Sequence, residues 1–359
     1  MARHAAAIFG CAGATLAPDE ARFFAEARPW GFILFARNIE TPAQVSRLTR
    51  DLRSAVGWRA PILVDQEGGR VQRMGAPHWR VWRPPLEHVA AAGDPERAMY
   101  LRARLIAGEL HGLGIDVNCI PALDLARGTT HPFLRDRLYG SAPDAVARIG
   151  RAVAQGLMDG GVLPVMKHVP GHGLARVDSH ADLPRVEAAR DDLDRLDFAA
   201  FRPLADLPMA MTAHVVFASV DPAAPATLSR RAIGLIRAEI GFSGLLMTDD
   251  LSMGALPGEI GSRAAAARRA GCDVVLHCNG DRAEMRAVLA RRRSLDGAPA
   301  APPRRPPIPP PRAPPAARPG RRCPAGRHPR PPRPPPTPAP RPPPAPPPPR
   351  PPPAPPTPA

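Results

Sequence analysis

The sequence predicts a single (β/α)8 barrel, on three observations. Short apolar runs alternate with amphipathic stretches, as they do where a parallel sheet is wrapped by helices. Eight such runs occur, at residues 6–11, 31–35, 61–64, 115–120, 163–166, 209–214, 245–247 and 274–278. The segment that holds them, residues 1–296, suits one barrel of roughly 250 residues with its loops better than two small domains.

The first run follows an alanine-rich start that resembles a secretory leader with an Ala-x-Ala cleavage site. A first barrel strand is the stronger reading, because the run passes directly into Leu16-Ala17-Pro18-Asp19-Glu20, a helix start. Between the second and third runs Val45, Leu48, Leu52 and Val56 recur at helical spacing, and between the third and fourth Leu101, Leu105, Ile106 and Leu110 do the same. After the eighth run, residues 281–293 carry Met285, Val288 and Leu289 on one helical face, enough to cover the last strand. No run approaches 18 apolar residues, so no membrane-spanning helix is expected. The five cysteines show no CxxC spacing, and four lie in or beside apolar runs, which reads as reduced thiols and a cytoplasmic protein.

Residues 297–359 are a different material, holding 33 of the 52 prolines, 11 arginines and no acid. Setting those arginines aside leaves 37 basic against 33 acidic side chains, so the formal charge of +15 falls to +4 for residues 1–296. A surface basic enough for nucleic acid or an anionic membrane is therefore a property of the tail alone, and neither is expected as a partner. Almost nothing in the tail could be buried, so it is expected to be disordered, and its composition reads as a non-native or out-of-frame ending. The alternative is a proline-rich interaction segment carried by an inactive barrel.

In this fold chemistry sits on the loops at the C-terminal ends of the strands, so polar residues just beyond each apolar run are the candidates. They are Asp65 after the third run, Lys167 and His168 after the fifth, His214 ending the sixth and Asp249 after the seventh. Loops 121–140 and 170–184 are longer than usual strand-to-helix connections and would build a lid on that face. Four motifs fall there. Asp65-Gln66-Glu67-Gly68-Gly69-Arg70-Val71-Gln72-Arg73 could be a tight turn with solvated charges. Lys167-His168-Val169-Pro170-Gly171-His172-Gly173 contains the one lysine among 48 basic residues, which suggests a site that needs a compact ammonium. Asp178-Ser179-His180 sets a carboxylate beside an imidazole, a pairing suited to proton transfer near neutral pH or, alternatively, a surface Asx turn. Asp249-Asp250-Leu251-Ser252-Met253 reads as a strand-end site or a helix cap.

Together these motifs resemble glycoside hydrolase family 3, in its β-N-acetylglucosaminidase branch from peptidoglycan recycling, over about residues 5–290. The resemblance implies a retaining exo-hydrolase that removes terminal β-linked N-acetylglucosamine through a glycosyl-enzyme. It implies Asp249 as nucleophile, His180 as general acid and then base with Asp178 as its partner, and Asp65, Arg73, Lys167 and His168 as sugar-binding residues. Arg137, in Arg135-Asp136-Arg137-Leu138-Tyr139-Gly140, matches a further substrate-binding arginine. Val169 stands where the family commonly has phenylalanine. The chemistry agrees, since retention needs a carboxylate at the anomeric carbon and a proton donor at the leaving oxygen. A β-glucosidase of the same fold is the alternative activity. No cofactor is implied. Nor is a metal, because His168 and His172 flank Pro170-Gly171 and cannot share one helical face. The expected partner is a small carbohydrate such as a muropeptide or disaccharide, bound by a monomer.

Overall fold

Each of the eight apolar runs forms a parallel strand of one closed barrel in the computed structural model, which describes residues 4–177 and 182–290. The strands are β1 (Ala5–Gly10), β2 (Pro29–Leu34), β3 (Ile62–Val64), β4 (Val117–Asn118), β5 (Leu163–Val169), β6 (Met209–Thr212), β7 (Leu245–Asp250) and β8 (Val274–His277). Neighbours in sequence are neighbours in space, and β1 closes the ring by pairing with β8 at Ala7 and Val275. The alanine-rich start is thus the first strand.

Helices α1 (Pro18–Ala27), α2 (Pro42–Val56), α3 (Pro95–Gly112), α4 (Pro143–Asp159), α5 (Arg190–Arg195), α6 (Arg230–Ala238), α7 (Ile260–Ala270) and α8 (Arg282–Ala290) follow the strands in turn. The first four open on a proline, whose fixed φ and missing N–H suit the first helical position. Thr41, Asp94 and Ser229 cap α2, α3 and α6 by accepting a hydrogen bond from the backbone N–H three residues on. Val45, Leu48, Leu52 and Val56 all face the barrel as their spacing predicts. In α3 the expectation needs correcting. Ile106 and Leu110 are buried, but Leu101 and Leu105 are 44% and 45% exposed, and the packed face runs through Met99, Arg102, Ala103 and Ala107. Small residues win there because α4 approaches closely. A Cβ on Gly160 would lie 2.2 Å from Ala107 Cβ, and one on Gly156 2.4 Å from the Tyr100 carbonyl oxygen.

Side chains pointing inward, among them Ile8, Ile33, Leu63, Val117, Val165, Met209, Met247 and Leu276, fill the barrel as a cluster of their own. The alternate residues of each strand pack outward against the helices in a second, larger core. Cys11, Cys119, Cys272 and Cys278 are buried and unpaired. Among the described residues no helix is long and apolar enough to cross a membrane. Asp178, His180 and the proline-rich segment 297–359 lie outside the described residues.

Candidate active site

The C-terminal rim gathers seven of the eight strand ends and their loops around one pocket, lined by Asp65, Arg73, Arg137, Lys167, His168, His172 and Asp249 with an apolar wall of Phe35, Val71, Phe133, Met211 and Met253. All six of the expected site residues that are described therefore meet in one place.

Asp65 is held by the turn that follows β3. Gln66 locks that turn, its side-chain oxygen accepting from the N–H groups of Arg73 (2.9 Å) and Met74 (3.1 Å), while its amide donates to the Met74 carbonyl (2.7 Å). Gly68 turns at φ 103°, and a Cβ there would fall 1.9 Å from the Arg102 guanidinium, which bonds the Glu67 carbonyl at 2.6 Å. Only glycine fits that position.

Lys167 bridges the two acids of the turn, with Nζ 2.8 Å from Asp65 Oδ1 and 2.7 Å from Glu67 Oε1. Arg137 grips Glu67 in bidentate fashion at 2.9 and 2.8 Å, and Arg73 approaches Asp65 at 3.4 Å. Lys167 and Glu67 are almost wholly buried. Burial pushes both carboxyls up, but the neighbouring cations win, holding Asp65 far below the usual range and Glu67 at about 2. Burial likewise draws the Lys167 ammonium down, and Asp65 and Glu67 more than restore it. The cluster stays fully charged, and it turns Asp65, Lys167, Arg73 and Arg137 toward the pocket as fixed acceptors and donors, the equipment for binding sugar hydroxyls.

Lys167 and His168 lie within β5, which continues past the apolar run because each has a buried partner. His168 Nδ1 is 2.7 Å from Asp124 Oδ2, and the His172 N–H donates to Asp124 Oδ1 at 2.7 Å. Burial raises the Asp124 carboxyl, and His168 more than reverses it, so the carboxylate is ionised and takes the Nδ1 hydrogen. That leaves Nε2 as the second working nitrogen of a ring that lines the pocket. The His172 ring stands edge-on to His168 with centroids 5.5 Å apart, and burial, then His168, pushes it down to about 4.

The loop that leaves β5 starts from a tightly fixed base. Thr130 Oγ1 donates to the Gly173 carbonyl at 2.6 Å, and a Cβ on Gly173 would lie 2.2 Å from the Leu125 carbonyl oxygen. Because backbone cannot yield as a side-chain tip can, Gly173→Ala is expected to displace the loop and lower kcat by about tenfold or more. Steady-state kinetics on the purified variant check this, and wild-type kcat would show that the loop tolerates the shift.

Of the two acids ending β7, the structure separates the roles. Asp250 is consumed by structure, its carboxylate accepting from Ser252 N–H (3.0 Å), Ser252 Oγ (2.6 Å) and Cys278 N–H (3.1 Å). Among the described residues Asp249 accepts one hydrogen bond, from the Asp250 N–H at 2.8 Å, and its carboxylate is otherwise presented to the pocket. Burial raises the Asp249 carboxyl, the His214 and His168 rings lower it, and the net position is below the ordinary value. It is an anion at neutral pH.

Sequence reasoning missed two buried members, Glu67 as the anchor of Lys167 and Arg137, and Asp124 as the partner of His168. Asp124 gave only a weak cue, standing four residues past the end of the fourth apolar run and not directly after it. Among the described residues no group of three or more histidines, cysteines and acids is placed to hold a metal ion.

A closed barrel with a charged pocket at its C-terminal rim suits an enzyme, and comparison with known proteins identifies the class. Residues 17–296 match the glycosyl hydrolase family 3 N-terminal domain. The chain is 40% identical over 282 residues to a β-hexosaminidase of Alkalilimnicola ehrlichii, covering 76% of this chain and 80% of that protein. It is 37% identical over 278 residues to a β-hexosaminidase of Bordetella avium, covering 75% and 79%. Among solved structures it is similar to NagZ from Neisseria gonorrhoeae in complex with N-trifluoroacetyl-D-glucosamine (TM-score 0.73, 33% identity, 81% of this chain and 85% of that one). It is also similar to a family 3 β-N-acetylglucosaminidase from Paenibacillus sp. (TM-score 0.72, 33% identity), where it spans 82% of its own length and 62% of the other chain. The chain belongs to glycosyl hydrolase family 3. It is a glycoside hydrolase of that family's β-N-acetylhexosaminidase branch.

Proposed function

We propose that the enzyme removes terminal β-linked N-acetylglucosamine from peptidoglycan fragments, of the N-acetylglucosaminyl-anhydromuramyl type, with retention of configuration. The observation that carries the reading is the Asp249 carboxylate, ionised and bonded among the described residues only by the Asp250 N–H, in the same pocket as Asp65, Arg73, Arg137, Lys167 and His168. The four motifs and the named relatives support it.

Asp249 attacks the anomeric carbon as the bond to the leaving oxygen breaks, and the His180 imidazolium, steadied by Asp178, gives its proton to that oxygen. A water then loses a proton to His180 and attacks the same carbon from the opposite side, releasing the Asp249 carboxylate and the sugar. Asp65 accepts from sugar hydroxyls, while Lys167, Arg73, Arg137 and His168 hold the ring in register. The buried free cysteines fit a reducing compartment, and we assign the reaction to the cytoplasm. We take a monomer as the working form.

Purified enzyme should prefer a p-nitrophenyl N-acetyl-β-glucosaminide over the matching β-glucoside by about a hundredfold or more in kcat/KM. The sugar first released should be the β-anomer by proton NMR. A preference for the glucoside, or early α-anomer, overturns the substrate or the stereochemistry respectively. His180→Ala should lose far more on alkyl than on nitrophenyl glycosides, since only the poorer leaving groups need protonation. Equal losses on both would remove His180 from that role.

A further inference from the structure

His214, just beyond the end of β6, takes no part in the reaction above, yet it is fully buried beside Asp249 and engaged at both ring nitrogens. Nε2 lies 3.0 Å from the Asp250 carbonyl oxygen and Nδ1 2.7 Å from Thr227 Oγ1. Thr227 Oγ1 is in turn 2.8 Å from Thr212 Oγ1 and 3.0 Å from the Ala213 carbonyl oxygen. None of Thr212, Thr227 and His214 has exposed surface.

Counting hydrogens fixes the direction of this chain. A carbonyl can only accept, so Nε2 carries the hydrogen that meets Asp250. Burial holds the ring below its ordinary pKa and therefore neutral, which leaves Nδ1 as a lone pair in need of a donor. The Thr227 hydroxyl supplies it at 2.7 Å, sharing its one hydrogen with the Ala213 carbonyl at 3.0 Å, and its oxygen accepts from Thr212. The chain runs Thr212 to Thr227 to His214 to the Asp250 carbonyl. With its carbonyl held by His214 and its carboxylate by Ser252 and the Cys278 N–H, Asp250 has a fixed N–H, the one that bonds Asp249 Oδ1.

We propose that His214 is a positioning residue for the Asp249 carboxylate, acting through Asp250 and held in the required tautomer by Thr227. The inference rests on the reading of Asp249 as nucleophile. A carboxylate turned away from the anomeric carbon would slow attack while leaving the sugar-binding cluster intact, so the effect belongs in kcat and not in KM.

Two pairs of variants test it on an aryl N-acetyl-β-glucosaminide. His214→Leu removes the donor to Asp250 and His214→Gln keeps an N–H near the Nε2 position, while Thr227→Val removes the donor to Nδ1 at constant shape and Thr227→Ser restores it. His214→Leu and Thr227→Val should lower kcat by about ten- to a hundredfold with KM within about twofold, and the Gln and Ser variants should recover to within about fivefold of wild type. Nitrogen-15 NMR should find His214 as the neutral Nε2–H tautomer, a signature lost in Thr227→Val. If His214→Leu does not fold, the Thr227 pair decides alone. Equal losses within each pair, or losses that fall on KM, overturn the proposal. Asp249→Asn is measured alongside. Turnover surviving there overturns the nucleophile reading itself, whereas its loss together with an unchanged kcat in Thr227→Val overturns only the role of His214.

Discussion

Replacing Asp249 by asparagine is expected to lower kcat by about ten-thousandfold while leaving the fold in place. The amide keeps the shape of the carboxylate and still offers an oxygen to the Asp250 N–H, so the one hydrogen bond described for Asp249 survives. What disappears is the anion proposed to form the bond to the anomeric carbon. Two observations should separate this from simple loss of structure. The thermal midpoint should stay within a few degrees of wild type, and azide should restore turnover of an activated aryl glycoside, giving the α-glycosyl azide as the small anion attacks in place of the carboxylate. With the wild-type enzyme, a slowly hydrolysed fluorinated sugar should label Asp249, and a label on Asp250 or Glu67 would move the nucleophile. Asp250→Asn should behave in the opposite sense, because three donors converge on that carboxylate and its loss loosens the end of β7 before it touches the chemistry.

The strands were legible because each is an apolar segment buried on both faces, a signal that survives without any knowledge of neighbours. Where a boundary moved, a buried polar residue was the reason. Lys167 and His168 end an apolar run in the sequence, yet the backbone stays in the sheet because Asp65, Glu67 and Asp124 satisfy them. Those partners lie far off in the chain, 102 residues for Lys167 with Asp65 and 44 for His168 with Asp124, and no local pattern announces such a pairing. Asp65, Lys167, His168 and Asp249 were readable from the rule that polar groups follow barrel strands, whereas Arg73 and Arg137 came only from the family resemblance. Glu67 and Asp124, which stand behind them, were not. Leu101 and Leu105 failed for a different reason, since hydrophobicity marks what can be buried, while the close approach of α3 and α4 at Gly156 and Gly160 selects for size.

The charged cluster behind the pocket carries the second large expectation. Lys167→Met keeps the length of the side chain and removes the ammonium that both Asp65 and Glu67 touch. Glu67 retains its bidentate Arg137, but Asp65 is left with Arg73 at 3.4 Å. Breaking a buried pair by deleting one partner costs about 3–5 kcal/mol, which for a barrel of this size means a thermal midpoint lower by roughly ten degrees at neutral pH. Because the ammonium also lines the pocket proposed to hold the sugar, kcat/KM should fall by about a hundredfold or more. The pH dependence follows from the direction of the shifts. Asp65 and Glu67 are held below their unfolded values, Glu67 at about 2, so each contributes stability that is fully present above the ordinary carboxylate range near pH 4 and is lost as pH falls toward the folded value. Lys167 is the charge that Asp65 feels most strongly and one of two that depress Glu67, so in the variant both carboxyls rise and that contribution shrinks. The stability gap between wild type and Lys167→Met should therefore be widest near pH 7 and narrow steadily from about pH 4 downward. Denaturant unfolding of both proteins across pH 3 to 7 reads it directly. A gap that is constant with pH would mean that Lys167 is held by packing and not by its two carboxylates.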